Sequence, residues 1–241
     1  MIESYFSESI ISRAINSKII SVHTYSLRDY TNDKHKRVDG RPFGGGPGMV
    51  MWVDPIVKCF EKIKIKIEKI IQKEDAQNIL KIKKTNKAKI LVVNFSPGGV
   101  KFDTPLAKES ASKYTDIIFI CGRYEGVDSR VVDILKAKEW SIGEYVLTGG
   151  ELPAMVCIDS ISRQIKGVLH AEDSLEENRI SSHKVYARPE IYERETKTLD
   201  KKETLTQGKN IYKTKIKKYS VPKVLLSGNH KLIEQWKQSV K

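Results

Sequence analysis

Three glycine-bearing segments are the part of this 241-residue sequence whose residue types and spacing could do chemistry. They read SPGG after Phe95, CGRYEGVD after Ile120 and SIGEYVLTGGELP from Ser141. Because glycine has no side chain, its backbone can approach a ligand closely, and the adjacent N–H and C=O groups can bind a flat heterocycle. Tight turns in a compact fold would use the same glycines, and spacing alone leaves both interpretations open.

The glycine pattern excludes two common nucleotide-binding classes. GGGPG, within Arg41–Met49, lacks the Gly-Lys-Ser/Thr ending of a phosphate-binding P-loop, and no GxGxxG opens a helix after a strand. The usual methyltransferase arrangement, a glycine-rich turn after the first strand and an acid ending the second, has no clear counterpart either. A ligand pocket in this chain would therefore be assembled from several loops.

Continuous apolar strands precede two of the three segments. Ile90–Phe95 and Ile117–Cys121 read as buried strands, typical of a parallel sheet covered on both faces. Ile19–Tyr25 and Tyr145–Leu147 also have strand character, and helical patterns cover 54–73, 104–114 and 151–164. Alternating strands and helices predict an α/β domain, in which the loops at the carboxyl ends of the strands line the ligand crevice.

The composition bounds the class of protein further. The net charge of +13 attracts polyanions such as nucleic acids, although lysines scattered over solvated faces would give the same charge. Three widely separated cysteines without CxxC spacing indicate reduced thiols rather than disulfides or a metal site. With no apolar run long enough to span a membrane and no secretory signal, we expect a cytoplasmic protein.

Long strings of the sequence resemble those of the bacterial tRNA (guanine-N1)-methyltransferases, which act on the guanosine at tRNA position 37. The strings are RPFGGGPGM, CGRYEGVDSR and EWSIGEYVLTGGELPAM, and the resemblance extends in order from about Glu3 to Gln238. It implies the SPOUT class: a parallel sheet with a C-terminal trefoil knot, followed by a small, mainly helical C-terminal domain. It also implies S-adenosyl-L-methionine as the cofactor and tRNA as the substrate.

By this resemblance, loops of the knot would hold the cofactor, with Ser96 and Pro97 beside the adenine. Glu125 could face the cationic amino acid part of the cofactor, or could instead pair with Arg123 or Arg130. The loop containing Gly45, Gly46, Pro47 and Gly48 would approach the tRNA or the flipped guanine. The expected pocket comprises Phe95, Ser96, Pro97, Gly122, Tyr124, Glu125, Ser141, Ile142, Gly143, Glu144, Tyr145, Val146, Leu147, Gly149, Gly150 and Pro153.

The resemblance also assigns a general base and a cation. Asp173 would remove the proton from guanine N1, and Arg163 would stabilise the negative charge that develops on O6. From the residues alone, Asp173 reads as one solvated charge in an acidic stretch. Arg163 could equally complement a helix C-terminus or pair with Asp159 four residues earlier.

The implied organisation has a knotted catalytic domain (1–169), a linker carrying Asp173 (170–181) and a tRNA-binding domain (182–241). Family members are homodimers in which the partner's linker completes the site, so we expect a homodimer with shared active sites. The usual first strand of the family, before Glu3, has no counterpart, and two lysine-rich insertions lie near 64–84 and 193–218. The polar stretch 194–218 is expected to be an exposed excursion.

Overall fold

The computed structural model describes residues 2–77, 88–169, 182, 184–199 and 212–240. The chain divides into two compact units, the first ending at Glu172 and the second beginning at Asp173. Within the described residues, every helix is too short or too polar to cross a membrane.

The first unit is an α/β fold around a parallel sheet, as predicted. Its elements are α1 (Ile2–Phe6), α2 (Ser9–Asn16), β1 (Asp39–Gly40), β2 (Val50–Met51), α3 (Val53–Gln77), β3 (Ile90–Lys101), α4 (Thr104–Lys113), β4 (Asp116–Ile120), α5 (Arg130–Leu135), β5 (Lys138–Ser141) and α6 (Glu151–Arg163). The sheet has the order β4-β3-β5 with both pairings parallel, while β1 and β2 form a separate antiparallel pair.

Both faces of the sheet are covered, which explains why β3 begins as a continuous apolar run. Val92 packs with Ile56 of α3 and Val131 of α5 on one face. Leu91 and Val93 pack on the other face, because successive side chains of a strand point to opposite sides. Burying each such side chain stabilises the fold by about 1.5–3 kcal/mol. The other members of this second cluster are Ala107, Trp140, Cys157 and Ile161.

The segment Ile19–Tyr25 is not a strand, so that prediction was wrong. Strand β4 pairs only with β3 in the described sheet, and a cavity of about 1150 Å³ lies between its outer side and this segment. Ile19, Ile20 and Val22 line the cavity together with Ile118. No described strand pairs with this segment, and apolar composition alone does not make it a β-strand.

The second unit, in its described residues, is a β-hairpin followed by two helices. Strands β6 (Ile191–Leu199) and β7 (Tyr212–Ser220) pair antiparallel, and α7 (Lys223–Leu226) and α8 (His230–Ser239) follow. The Asn229 side chain accepts a hydrogen bond from the Leu232 N–H at 3.3 Å and caps α8.

The expectation of a mainly helical second unit does not hold for these residues. Strands β6 and β7 have nine residues each, against four and ten in the two helices. Alternating Thr, Tyr and Ile with charged residues gives a period of two that suits a ladder. The high polarity of the same segment predicted an exposed excursion, and its described residues in β7 are exposed as expected.

Candidate functional site

The carboxyl ends of β3, β4 and β5 lie at one edge of the sheet, because the three strands are parallel. Phe95 and Val100 both pair with Trp140, so the residues between them bulge out of β3 at this edge. A Cβ on Gly99 would lie 2.6 Å from the Glu139 backbone. Glycine is therefore required where this bulge passes β5.

The loop that follows β4 is tied to the segment that precedes α6. The Gly150 N–H donates to the Gly122 carbonyl at 2.9 Å, and Arg123 forms an antiparallel bridge with Gly149. A Cβ on Gly150 would lie 2.7 Å from the Cys121 Cα, so the two backbones touch. The Arg123 guanidinium also pairs with the Glu151 carboxylate at 2.9 Å, which joins the loop to the first turn of α6.

The loop after β5 is a turn held by its own first residue. The buried Ser141 Oγ donates to the Gly143 carbonyl at 2.9 Å and accepts from the Gly143 N–H at 3.3 Å. The segment Tyr145–Leu147 is not a strand, which corrects that prediction, and its residues are exposed, with Val146 at 82%. Apolar side chains held at a glycine-rich edge are suited to contact with a ligand.

A fourth glycine-rich segment contacts the same edge. The Glu125 N–H donates to the Met49 carbonyl at 3.0 Å, and the Met51 N–H donates to the Gly126 carbonyl at 3.0 Å. Gly45, Gly46 and Gly48 have φ values of +79°, +107° and +86°, in the region that favours glycine. The glycines of RPFGGGPGM are thus needed for backbone conformation, and Phe43 beside them is 99% exposed.

The structure therefore brings the predicted loops to one edge of the sheet, but not every predicted side chain is available there. The Phe95 ring stacks on Phe119 at 5.5 Å, and Pro153 is buried in α6. The half-buried or exposed predicted residues are Phe95, Ser96, Pro97, Gly122, Tyr124, Glu125, Ile142, Gly143, Glu144, Tyr145, Val146, Leu147 and Gly149.

The two arginines that could have neutralised Glu125 pair with other residues. Arg123 pairs with Glu151, and Arg130 pairs with Asp128 at 2.7 Å. The bond from Arg130 lowers the pKa of the Asp128 carboxyl below its ordinary value. The Glu125 side chain is exposed beside Gly48, where any Cβ would collide with its carboxylate.

Arg163 is the last residue of α6, and its Nε is buried without a hydrogen-bond partner among the described residues. The alternative partner, Asp159, instead accepts a hydrogen bond from the Tyr5 hydroxyl at 2.6 Å. A buried guanidinium nitrogen without a partner is costly, so this position is suited to an anionic or carbonyl oxygen supplied from outside. Asp173, the predicted base, lies outside the described residues.

Comparison with known proteins gives a match over the whole chain. The model of the family described as tRNA (Guanine-1)-methyltransferase TrmD matches residues 1–241. The chain belongs to this family. Among curated relatives, the tRNA (guanine-N(1)-)-methyltransferase of Clostridioides difficile (strain 630) is 40% identical over 239 residues, covering 98% of this chain and 85% of the relative.

Other members of the family resemble the chain to a similar degree. The tRNA (guanine-N(1)-)-methyltransferase of Alkaliphilus oremlandii is 40% identical over 96% of the chain and 79% of its own length. The protein of the same name from Buchnera aphidicola subsp. Acyrthosiphon pisum is 38% identical over 95% of the chain and 79% of its own length. The predicted family is therefore confirmed.

Two features of this family member were not evident from its sequence. Tyr124 has a left-handed backbone with φ +60°, a conformation that costs energy outside glycine and is often found at functional sites. Asn94 is buried, and its Oδ1 has no hydrogen-bond partner among the described residues. The motif NFSPGG contains Asn94, but nothing in the sequence distinguishes it from an ordinary strand residue.

The three free cysteines of this family member are buried at Cys59 and Cys157 and half-buried at Cys121. Burial raises the pKa of Cys121 and of Cys157 to about 12, and it also raises the pKa of Cys59. No cluster of side chains within the described ranges could hold a metal ion.

Proposed function

We propose that this protein transfers a methyl group from S-adenosyl-L-methionine to N1 of guanosine at position 37 of tRNA. The observation that carries the proposal is the match of the family over the whole chain, to relatives named for this activity. The convergence of the glycine-bearing loops at one edge of the sheet supports it, since that edge is where parallel sheets bind ligands. A tRNA substrate would place the protein in the cytoplasm.

The fold proposed for the first unit is the trefoil knot of the SPOUT class. Its support is the return of the chain after β5 to the loop after β4, where Gly149 bridges to Arg123 and Gly150 bonds to Gly122. Two backbones in such close contact, with α6 starting at the crossing, are what a threaded chain requires. The glycine at 150 is what permits the contact.

The loops fit S-adenosyl-L-methionine, which when bound supplies an electrophilic methyl group on a sulfonium. A Cβ on Gly98 or Gly126 would meet no atom within 4 Å, so there is open space beside the backbone at both loops. The exposed side chains of Tyr145 and Leu147 offer apolar surface to an adenine ring. The Glu125 carboxylate, which pairs with neither Arg123 nor Arg130, offers negative charge to a cationic group.

The reaction needs two roles from side chains of this protein: removal of a proton from guanine N1 and stabilisation of the negative charge that develops on O6. Guanine N1 carries a proton, and a carboxylate that removes it contributes roughly 10²–10⁴ in rate. We assign this role to Asp173. As the proton leaves, negative charge spreads onto O6, and we assign its stabilisation to Arg163, whose buried Nε has no other partner in the described residues.

The glycine loop Gly45–Gly48 is proposed to contact the substrate. The anticodon-loop guanine must leave its stack to reach the pocket. A loop with an exposed backbone can follow an extruded base closely, and Phe43 at its start is almost entirely exposed. The bond from Glu125 to Met49 would couple this loop to the cofactor loop.

The assembly is proposed to be a homodimer with shared active sites. The outer side of α6 carries Leu152 and Val156, four residues apart and each about half exposed. The second unit has no fully buried apolar side chain among its described residues. Contact with a second copy of the chain would bury apolar side chains of both surfaces. A small unit without a buried core has marginal stability by itself.

The direct test is methyl transfer with labelled S-adenosyl-L-methionine to tRNA transcripts that differ only at position 37. We expect 1-methylguanosine when position 37 is guanosine and no product when it is adenosine. Asp173→Asn should lower kcat by at least about 10²-fold while leaving the dissociation constant of S-adenosyl-L-methionine unchanged. Product on the adenosine transcript would refute the substrate assignment, and near-normal turnover by Asp173→Asn would refute the base.

The shared site has its own test, the mixing of two inactive variants. Asp173→Asn lacks the base, and Gly143→Val is expected to weaken cofactor binding, because its side chain would displace the Tyr145 ring. Random mixed dimers with shared sites would recover about one quarter of the wild-type activity. Sites contained within one subunit would recover none, and that result would rule the arrangement out.

A further inference from the structure

The hairpin formed by β6 and β7 has two faces of different charge. Successive side chains alternate between faces, and the register pairs Arg194 with Lys217 and Glu193 with Lys218. We define the basic face by its charged and aromatic members, which are Tyr192, Arg194, Lys213, Lys215, Lys217 and Tyr219. The mixed face carries Ile191, Glu193, Glu195, Lys197, Ile216 and Lys218.

The charge of the hairpin is concentrated on one of these faces. The basic face has four cations and, within the two strands, no carboxylate. The mixed face balances two lysines with two glutamates, and its Lys218 pairs with Glu193 at 2.6 Å. A surface that serves only solubility would carry both positive and negative charges on each face. The concentration of positive charge on one face therefore indicates that this face binds a ligand.

The basic face places like charges opposite each other. Arg194 lies directly opposite Lys217, and like charges in that position destabilise a sheet. Lys213, Lys215 and Lys217 alternate along β7, which places them about 6.7 Å apart in a row. All of β7 is exposed. Such a row of cations is suited to the regularly spaced phosphates of a nucleic acid backbone.

The aromatic members lie at one end of the same face. Tyr192 lies opposite Tyr219, and their side chains are 60% and 44% exposed. The Lys217 Nζ lies 5.0 Å from the centre of the Tyr219 ring. Cations in a row next to exposed tyrosines are the combination by which proteins bind an RNA strand, through phosphates and through stacking on sugars or unpaired bases.

We infer that the basic face of the β6–β7 hairpin binds the sugar–phosphate backbone of the tRNA substrate. This inference rests on the proposed function for the identity of the RNA. Its role is affinity rather than chemistry, so it contributes to the capture of tRNA and takes no part in the methyl-transfer step.

The test compares two matched double variants that each remove two positive charges from one face. Lys215→Gln/Lys217→Gln changes the basic face, and Lys197→Gln/Lys218→Gln changes the mixed face. All four side chains are exposed, and both doubles lower the net charge of +13 by the same amount. The dissociation constant of tRNA is measured for each full-length protein across a series of salt concentrations, together with KM and kcat for methyl transfer.

We expect the basic-face double to weaken tRNA binding about tenfold and to reduce the slope of log Kd against log salt by about 2. KM for tRNA should rise by the same factor, with kcat at saturating tRNA and the binding of S-adenosyl-L-methionine unchanged. The mixed-face double should match the wild type within about twofold.

Equal effects of the two doubles, or no effect of either, would overturn the inference while tRNA methylation by the wild type still stands. Loss of binding to anionic phospholipid vesicles, with tRNA binding intact, would overturn it in favour of a membrane. If the wild type methylates no tRNA, the proposed function fails, whereas the binding comparison still decides whether this face holds RNA.

Discussion

Alanine at Gly150 is the substitution whose effect follows most directly from the structure. Gly150 is buried with φ −81° and ψ −4°, a conformation that alanine adopts readily, so backbone strain plays no part. The new Cβ would lie 2.7 Å from the Cys121 Cα and 3.0 Å from the Gly122 nitrogen. Both are main-chain atoms, which cannot rotate away as a side chain would.

The magnitude follows from the separation that the methyl group would impose. Ordinary contact begins at 3.4 Å, so the two segments must move apart by about 0.7 Å. Overpacking of this kind costs about 1–3 kcal/mol. The same movement would stretch the 2.9 Å bond from the Gly150 N–H to Gly122 beyond hydrogen-bonding range, at about 1 kcal/mol. After the entropic gain of replacing glycine, the net loss is about 1–3 kcal/mol.

Two measurements check this expectation, with Gly98→Ala as the control for stability and the wild type as the control for binding. Gly98 is exposed in a neighbouring loop, and a Cβ there meets nothing within 4 Å. Urea unfolding should show the lower free energy of unfolding for Gly150→Ala alone. Calorimetry should show S-adenosyl-L-methionine bound about tenfold more weakly, which corresponds to about 1.4 kcal/mol. If Gly150→Ala unfolds like Gly98→Ala and binds S-adenosyl-L-methionine like the wild type, the close crossing of the two loops is wrong.

Three further expectations concern pH, a side-chain contact and the glycine loop. Because burial holds the pKa of Cys121 and Cys157 near 12, against about 8.5 when unfolded, stability is full below pH 8.5 and declines above it. The urea concentration at the unfolding midpoint should therefore be lower at pH 10 than at pH 7. The decrease should be smaller in Cys157→Ala. Tyr5→Phe removes the bond to Asp159 and should lower the free energy of unfolding by about 0.5–1.5 kcal/mol in the same assay. Gly45→Ala, at φ +79° in open space, should cost about 1 kcal/mol locally and raise KM for tRNA without changing binding of S-adenosyl-L-methionine.

The parts of the fold that the sequence predicted are those whose signal is local. Ile90–Phe95 and Ile117–Cys121 read as buried parallel strands because both of their faces are covered, and that burial is visible as uninterrupted apolar residues. The failures are pairing errors. Ile19–Tyr25 has the composition of a strand but no strand beside it, whereas Lys138–Ser141 looks polar yet pairs with β3. Whether a segment forms a β-strand depends on a second strand lying beside it, and the residues of the segment alone do not encode that neighbour.

The same distinction applies to the candidate site. The glycines of the loops could be recognised in the sequence, but the structure requires them on different grounds. Gly150 is needed for a close backbone contact, and Gly46 for its φ of +107°. Spacing could not separate these cases. Nor could it show that Phe95 packs on Phe119, because the sequence places Phe95 next to Ser96 without saying which side of β3 it faces. The resemblance to a family supplied the pocket as a whole, and the structure shows how each loop is held.

In the loop after β4, an ion pair with a residue distant in sequence decides which charged side chains can pair within the loop. Arg123, Glu125 and Arg130 are close in sequence, so any pairing among them was open. The structure assigns Arg123 to Glu151, across the crossing of the two loops, and Arg130 to its neighbour Asp128. Glu125 therefore keeps an exposed negative charge in a chain that is otherwise strongly basic. In that surrounding field, an exposed carboxylate beside the glycine-bearing loops is better suited to a cationic small molecule than to RNA, whose phosphates it would repel.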